Sequence, residues 1–286
     1  MSKNSNIEWT DDSWNPATGC TKISDGCKNC YMFEGAKWLK GMGNVRYKNG
    51  SIPTMHLDKV DEPKSWKKSR KVFVCSMSDL YHDKYTDEFI QSVFKTMNET
   101  PQHTYLVLTK RAKRLAEMAS DLDWTDNIYP GVSIENRKVY NRLDYLRKVP
   151  SENRWLSIEP LLESVHDIDL TDISWVVVGG ESGPNARDMD VEWVREIRDK
   201  CIDEEILLFF KQFGKNENNP NMFDDTMKKS IKGIKNSLYS KGGCVLDGKI
   251  YREFPEDKIN NNETEDDYFI YHTLKYIKEI IKDSDT

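Results

Sequence analysis

The sequence predicts an α/β fold built around a parallel sheet, and three observations lead to this prediction. Six short apolar runs recur from residue 72 onwards, amphipathic segments lie between them, and each run gives way to polar residues. Continuous apolar runs of four to six residues are typical of strands buried on both faces, as parallel strands are. Regular alternation of strands and helices indicates βαβ units. We therefore expect a barrel or partial barrel in preference to a doubly wound sheet, although the spacing alone does not separate the two.

The predicted elements follow in chain order. A short early strand is expected at residues 6–10. The six apolar runs occupy residues 72–76, 105–109, 128–133, 154–158, 175–179 and 206–210. Three helices, each with its apolar residues on one face, are expected over residues 87–98, 137–147 and 191–202.

The amino-acid composition excludes several classes of protein. The chain has 286 residues, of which 37% are hydrophobic and 31% charged, and its 31 Trp, Tyr and Phe side chains argue against disorder. No stretch approaches the ~18 apolar residues of a membrane span, so an integral membrane protein is excluded. The first residues carry no apolar segment typical of a signal peptide, so we expect a cytoplasmic protein. The net charge of −6 argues against a protein coated in nucleic acid but leaves room for one basic patch.

Two parts of the chain are predicted. Residues 1–214 form the βα domain, which includes a cysteine loop at 14–31 and a basic insertion at 34–71. The insertion carries ten Lys or Arg against four Asp or Glu, a local balance of +6. Residues 215–286 form a C-terminal extension with a small hairpin at 243–251 and a terminal helix at 268–281.

Three of the six cysteines lie close together near the N-terminus. Cys20, Cys27 and Cys30 have the spacing C-x6-C-x2-C, with glycines at 19 and 26 that let the backbone turn. In a reducing compartment, such clustering indicates metal binding or catalysis more than disulfides. A closed zinc site needs four ligands, whereas a 4Fe-4S cluster on three cysteines has one iron open for a ligand. We favour the cluster; zinc and unliganded thiols stay open.

The other cysteines carry weaker signals. A fourth zinc ligand would have to come from Cys75, His82 or His56. Cys201 lies on the apolar face of a predicted helix, where a cysteine behaves as a small buried hydrophobe. Cys244 is expected to be either packed or exposed.

Polar residues follow each predicted strand. In a parallel barrel the strand ends share one rim, where active sites assemble, although polar residues also simply mark strand ends. The rim candidates are Ser76, Ser78, Asp79, His82, Thr109, Lys110, Arg111, Ser133, Glu135, Asn136, Ser157, Glu159, Glu181, Lys211 and Gln212. The Gly-Gly-Glu run at 179–181 lacks the spacing of a dinucleotide-binding loop, so we interpret it as a tight turn on a functional rim.

Eight segments in fixed order carry a family resemblance. They are residues 7–31, 73–82, 106–115, 131–150, 154–163, 176–189, 209–215 and 245–255. With the cysteine loop, they make the chain resemble the radical S-adenosylmethionine (SAM) proteins, and specifically a phage-associated family of radical-SAM-like proteins with a three-cysteine motif.

The resemblance implies a partial (β/α)6-type barrel in which Cys20, Cys27 and Cys30 hold a 4Fe-4S cluster. It implies an enzyme that cleaves SAM reductively to a 5′-deoxyadenosyl radical, which abstracts hydrogen from a substrate. An electron donor such as flavodoxin or ferredoxin would be a partner.

The resemblance also suggests roles for rim residues. Ser78 and Asp79 would bind the amino end of SAM, and Tyr31 would lie near its adenine. Ser133, Glu135 and Asn136 would lie near the ribose or carboxylate. Glu159, Glu181 and Lys211 are the catalytic candidates towards the substrate, and Lys110, Arg111, Arg187 and Gln212 are further rim candidates.

The basic, aromatic segment 34–71 suggests one substrate class. Positive charge combined with aromatic platforms is typical of nucleic-acid grooves, so DNA or RNA is a candidate partner; a solvated insertion is the alternative. Two other functions stay open. One is a non-catalytic cluster- or zinc-bearing nucleic-acid-binding barrel, and the other is a barrel enzyme that uses rim carboxylates and lysines while its cysteines are structural.

Overall fold

A computed structural model describes residues 7–220 and 240–255. Seven parallel strands form one sheet with the order β1-β4-β5-β6-β7-β8-β9. They are β1 (Asp12–Trp14), β4 (Lys71–Val74), β5 (Thr104–Thr109), β6 (Ile128–Ser133), β7 (Trp155–Ile158), β8 (Trp175–Gly179) and β9 (Leu207–Gln212). A two-residue pair, β2 (Ala17–Thr18) and β3 (Thr54–Met55), lies outside this sheet. Because the seven strands are parallel, their carboxyl ends open onto one rim.

All six predicted apolar runs form strands, but the predicted early strand at 6–10 was wrong. Thr10 donates its backbone N–H to the Ile7 carbonyl, which makes a turn there. The first strand is instead β1, paired with β4. Trp9, within the predicted strand, instead packs in the barrel interior.

The sheet curls into a partial barrel. The Trp9 ring lies 4.8 Å from Phe73 of β4 and 5.3 Å from Trp155 of β7. A flat sheet would separate strands three positions apart by about 14 Å, so one ring reaches both only if the sheet is curved. Among the described residues β1 and β9 do not pair, and the barrel is therefore open. Aromatic rings fill its amino end, where Trp175 and Phe209 pack with Phe254.

Within residues 7–220 and 240–255, five α-helices accompany the strands: α1 (Tyr31–Gly41), α2 (Asp87–Asn98), α3 (Ala112–Met118), α4 (Asn141–Leu146) and α5 (Val191–Asp203). The predictions for α2 and α5 are confirmed, and the Thr86 hydroxyl caps α2 by accepting from Phe89 N at 3.2 Å. The helix predicted at 137–147 is divided into a 3-10 turn at 137–139 and the shorter α4. Arg137 N, the first amide of this turn, has no partner within the turn and donates to the Glu163 carboxylate at 2.6 Å.

The hairpin predicted at 243–251 is present as β10 (Val245–Leu246) and β11 (Lys249–Ile250). It packs next to β9, where Phe210 N donates to the Tyr251 carbonyl. The terminal helix predicted at 268–281 lies outside the described residues. Within the described ranges, no helix is both long and apolar enough to cross a membrane.

The close packing on the inner face of the barrel predicts the effect of Gly131→Ala. A Cβ atom at Gly131 of β6 would overlap the Trp155 indole ring. We therefore expect Gly131→Ala to lower the free energy of unfolding by about 1–3 kcal/mol, because the ring must shift within a packed interior. The control is Gly41→Ala at the end of α1, where a Cβ meets nothing within 4 Å. Urea unfolding should show little loss or a small gain for the control, and equal effects of both substitutions would contradict the packing described.

Candidate functional site

A cavity of about 260 Å³ opens at the carboxyl ends of the strands. Ten of the twelve residues predicted for the cluster, cofactor and catalysis line it: Cys20, Cys27, Cys30, Tyr31, Ser78, Asp79, Ser133, Glu159, Glu181 and Lys211. The other two, Glu135 and Asn136, contact the cysteine loop from outside the cavity lining. The strand-end residues of this set lie together because parallel strands bring their carboxyl ends to one rim.

The cysteine loop is tied to the rim at both ends. Gly19 pairs with Ser78 after β4, and Gly19 N donates to the Met77 carbonyl at 2.9 Å. Cys27 ends a 3-10 turn, and Cys30 is the residue before α1. Gly19 has φ +82, and a Cβ there would overlap the Ile52 carbonyl. A glycine is therefore needed where the loop begins.

The cysteine loop offers three thiols as its donor set, and thiolates are ligands of both zinc and iron–sulfur clusters. Across the described residues, no group of three or more His, Cys, Asp or Glu side chains is arranged to hold a single metal ion. Zinc–thiolate bonds of about 2.3 Å require the sulfur atoms to lie within about 4 Å of one another. A cluster instead places several irons between its thiolates, which can be further apart. All three cysteines are free and face the same cavity, so they can serve such a cluster.

The candidates for a fourth zinc ligand are largely engaged. His82 Nε2 lies 2.9 Å from the Thr21 hydroxyl, and its Nδ1 accepts from Lys84 N at 3.1 Å. His56 Nε2 lies 2.8 Å from the Thr18 hydroxyl. Cys75 is buried and lines the cavity, whereas Cys201 and Cys244 are buried in the core.

Cys27 is buried, and Cys20 and Cys30 are partly buried. Burial, followed by the negative charge of Asp79, raises the pKa of Cys20 to about 12, although Arg111 opposes this rise. Burial also raises the pKa of Cys30. Without a ligand these thiols stay protonated at neutral pH, so metal binding would release protons.

Glu135 and Asn136, which follow β6, hydrogen-bond to the cysteine loop. Glu135 is fully buried; it accepts from Gly26 N at 3.3 Å and from Arg142 at 2.7 Å. Burial raises its pKa, but Lys110 and Arg142 lower it, and the net shift is downward. Asn136 Nδ2 donates to Asp25 in the same loop at 3.0 Å. Both residues therefore contact loop atoms in this structure.

Ser78 and Asp79 line the cavity but also make several hydrogen bonds. The Ser78 hydroxyl donates to the Gly19 carbonyl at 2.7 Å. The Asp79 carboxylate accepts from the Thr109 hydroxyl at 2.7 Å and from Lys110 N at 3.1 Å. Arg111 lies 3.6 Å from the same carboxylate. Asp79 therefore joins the ends of β4 and β5.

Glu181 is paired on the opposite side of the cavity. Arg187 donates to both of its carboxylate oxygens, at 2.6 and 2.9 Å, and Asn29 of the cysteine loop donates to one of them at 2.9 Å. Burial raises the pKa of Glu181, but these hydrogen bonds lower it below its usual value. The carboxylate is therefore ionised at neutral pH and holds the loop.

The two glycines before Glu181 let neighbouring atoms approach the backbone closely. A Cβ at Gly180 would overlap the Phe213 carbonyl, and one at Gly179 would lie 2.5 Å from the Glu159 carboxylate. The predicted tight turn is thus explained by backbone and side-chain approach.

A second charged pair faces the inside of the cavity. Lys211 Nζ lies 3.1 Å from Glu159 Oε1, and both side chains are largely buried. Gln212 donates to the Gly180 carbonyl at 3.1 Å. Next to this pair, the buried oxygens Ser133 Oγ and Gln212 Oε1 have no hydrogen-bond partner within the described part of the chain. Buried polar atoms without partners are costly, which indicates a polar ligand.

Three residues at the site were missed from the sequence. Asn15 follows β1 and accepts from Met77 N at 2.9 Å; a correctly placed first strand would have identified it. Arg142, only 6% exposed, pairs with Glu135. Tyr85 donates to the Gly19 carbonyl at 3.2 Å. An arginine on a helix is usually solvated, so the sequence carried no signal for Arg142.

Several basic side chains of segment 34–71 are engaged within the fold. Arg46 bonds the Asn15 carbonyl, Lys64 pairs with two carboxylates, and Arg70 pairs with Asp12 at 2.6 Å. Lys71 begins β4 at the amino end of the barrel, away from the cavity. The lysines of this segment without a carboxylate partner in the described ranges are Lys37, Lys40, Lys48, Lys67 and Lys68.

The buried Glu135–Arg142 pair predicts a large effect on stability. We expect Arg142→Met to lower the free energy of unfolding by about 3–5 kcal/mol at neutral pH, because Glu135 would be left charged and unpaired. Arg137→Met is the control, since its pair with Asp167 is half-exposed and should be worth about 0–1 kcal/mol.

The Glu135–Arg142 pair also makes the free energy of unfolding depend on pH. The lowered pKa of Glu135 stabilises the fold above its unfolded pKa of about 4.3, and this contribution is lost as the pH falls through the folded value. The deficit of Arg142→Met should therefore shrink in acid. A deficit as small as that of the control at neutral pH would contradict the pair's role.

Comparison with solved structures finds the same fold in spore photoproduct lyase. A point mutant of that enzyme aligns over 74% of this chain and 79% of its own, with 14% identity and a TM-score of 0.50. A cysteine-to-serine mutant aligns over 70% and 63%, with 16% identity and a TM-score of 0.45. A mutant with bound AdoMet and dinucleoside spore photoproduct aligns over 66% and 60%, with 15% identity and a TM-score of 0.41. The first of these supports the fold, a partial parallel barrel, and no more.

Sequence comparisons give the family. No curated protein matches the chain. The model of the family described as "Protein of unknown function (DUF5131)" matches residues 4–255, which is most of the chain. Because this match covers well over half of the 286 residues, the chain belongs to this family, and its fold is a partial parallel barrel.

Proposed function

We propose that the chain is a radical SAM enzyme in which Cys20, Cys27 and Cys30 hold a 4Fe-4S cluster. One observation carries the proposal: the three cysteines of one loop face a single cavity at the carboxyl ends of the parallel strands. This is the end of a barrel where strand-end residues assemble active sites. The partial-barrel fold shared with spore photoproduct lyase supports the proposal.

The chemistry that a bound cluster and SAM supply is reductive cleavage of SAM to methionine and a 5′-deoxyadenosyl radical, which removes hydrogen from a substrate. The chain's own residues would bind and orient SAM and the substrate and shield them from water. Lys110 lines the cavity and has no carboxylate partner within the described residues, so its ammonium group suits the SAM carboxylate. The hydroxyl of Ser133 and the amide oxygen of Gln212 are available to bind polar groups of SAM or of the substrate.

The remaining candidates divide into two roles. Glu135, Asn136 and Glu181 act as positioning residues, because each contacts the cysteine loop. Lys211 and Glu159 form an ion pair inside the cavity and are the candidates for contact with the substrate. Trp9, Phe73 and Leu108 also line the cavity and exclude water from its inner end, which protects a radical from side reactions.

Anaerobic reconstitution with iron and sulfide tests the metal site. We expect the wild-type chain to bind about four irons and four sulfides and to become brown. Cys20→Ala, Cys27→Ala and Cys30→Ala should each lose most of the iron, because a ligand is removed. Cys201→Ala is the matched control: this thiol lies on α5 in the core, so its loss should leave cluster loading unchanged.

Product analysis tests the reaction. Reduced with dithionite, the reconstituted wild-type chain should convert SAM to 5′-deoxyadenosine and methionine, as measured by chromatography. The three loop variants should lose at least tenfold in this rate, and the control should not. Stoichiometric zinc with no such product, or full cluster loading in the loop variants, would contradict the proposal.

A further inference from the structure

Arg111 is a buried cation beside the cysteine loop. It follows β5 as the last residue before α3, and its side chain is only 7% exposed. Its backbone N–H donates to the Thr109 hydroxyl at 2.8 Å, which fixes the position from which the side chain extends. The side chain lines the cavity, and its Nη1 lies 4.0 Å from Cys20 Sγ. The guanidinium group therefore lies next to one of the three thiols.

Two other arginines at the site neutralise carboxylates directly. Arg142 donates to Glu135 at 2.7 Å, and Arg187 donates to both oxygens of Glu181 at 2.6 and 2.9 Å. These are the short distances of charge-assisted hydrogen bonds. The positive charge of each of these arginines is therefore balanced by one carboxylate in direct contact.

The ion pairs of Arg111 are longer. Its Nη1 lies 3.6 Å from Asp79, and its Nε lies 3.5 Å from Asp83, whose side chain is 80% exposed and therefore screened by water. Its shortest contact is to a neutral group, because Nη2 donates to the Thr21 hydroxyl of the cysteine loop at 2.7 Å. The buried positive charge is thus only partly balanced, and it is held on the side of the loop.

A positive charge at this position would act on the redox equilibrium of a bound cluster. The potential of an iron–sulfur cluster depends on the charges around it and on hydrogen bonds to its sulfur atoms. Reduction adds one negative charge, and electrostatic interactions are stronger at a buried site than in water. A buried guanidinium beside a cysteine ligand therefore favours the reduced state, which makes the reduction potential less negative.

We propose that Arg111 acts through Cys20 as a positioning residue that raises the reduction potential of the cluster held by Cys20, Cys27 and Cys30. The inference rests on the proposed function, since it requires that cluster. In the redox step the cluster takes up one electron from the reductant, and Arg111 shifts the equilibrium without transferring an atom or a proton. Its shortest side-chain contact is to the loop, which favours this role over binding of the SAM carboxylate.

Potentiometric titration of the reconstituted chain tests the proposal. It is carried out without SAM, with redox dyes, and is followed by the loss of the cluster's visible absorbance. We expect Arg111→Gln to lower the equilibrium constant for one-electron reduction about tenfold or more, which makes the potential about 59 mV more negative. Arg111→Lys keeps the positive charge, so its equilibrium constant should stay within about threefold of the wild-type value.

Two further variants separate the charge at Cys20 from other effects. Lys113→Gln removes the same charge from α3 at a side chain that is 71% exposed, and it should leave the potential unchanged because water and salt screen this lysine. Thr21→Val is nearly isosteric, lies at an exposed position and keeps both Arg111 and its charge. It removes the hydroxyl that holds the guanidinium on the loop, so the equilibrium constant should fall by about threefold.

An Arg111→Gln variant with the wild-type potential would overturn the proposal. A potential as low for Arg111→Lys as for Arg111→Gln would also overturn it, because the shift would then come from a disturbed loop and not from charge. If Arg111→Gln holds no cluster, Thr21→Val decides, and an unchanged potential would count against the proposal.

Two other results have distinct meanings. Arg111→Gln could keep the potential and lose the change that SAM causes in the electron paramagnetic resonance spectrum; Arg111 would then serve SAM binding, and the proposal would be wrong. Failure of the proposed function looks different, because the wild-type chain itself would hold no cluster or would form no 5′-deoxyadenosine with dithionite.

Discussion

Side chains at the strand ends hold the cysteine loop over the barrel, and the site depends on these contacts. Glu135 after β6 accepts from the loop at Gly26, and Glu181 after β8 accepts from Asn29. Ser78 after β4 bonds the loop where it begins. The loop itself is short and polar, so it has little apolar surface with which to fix its own position. The strand ends therefore determine where the three thiols lie.

This constraint divides the polar residues of the rim into two groups. The carboxylates that hold the loop are buried and paired, and their hydrogen bonds keep them ionised, so they are poor proton donors or acceptors at neutral pH. The groups without a partner among the described residues are the Ser133 hydroxyl and the Gln212 amide oxygen, which line the same cavity as Trp9, Phe73 and Leu108. In the proposed function, the apolar part of the lining would shield a reactive intermediate from water.

Periodicity in the sequence predicted the six main strands and the position of the rim, because strands buried on both faces leave continuous apolar runs. It did not predict β1, since Asp12–Trp14 is short and half polar. The sequence pattern also could not distinguish the residues that hold the cysteine loop from those that would contact a ligand. That division depends on pairs between distant residues, such as Asn29 with Glu181, 152 positions apart. The sequence also could not divide the charge of segment 34–71, in which Arg46, Lys64 and Arg70 are engaged within the fold while Lys37, Lys40 and Lys48 are exposed.

In the proposed site, three cysteines would leave one iron of the cluster open to SAM. Electron paramagnetic resonance of the reconstituted, dithionite-reduced chain is the sharpest test of this open iron. We expect a reduced-cluster signal that changes when SAM is added and does not change with 5′-methylthioadenosine, which lacks the amino-acid end that would bind the iron. A chain with no reduced-cluster signal, or a spectrum that is the same with and without SAM, would contradict it.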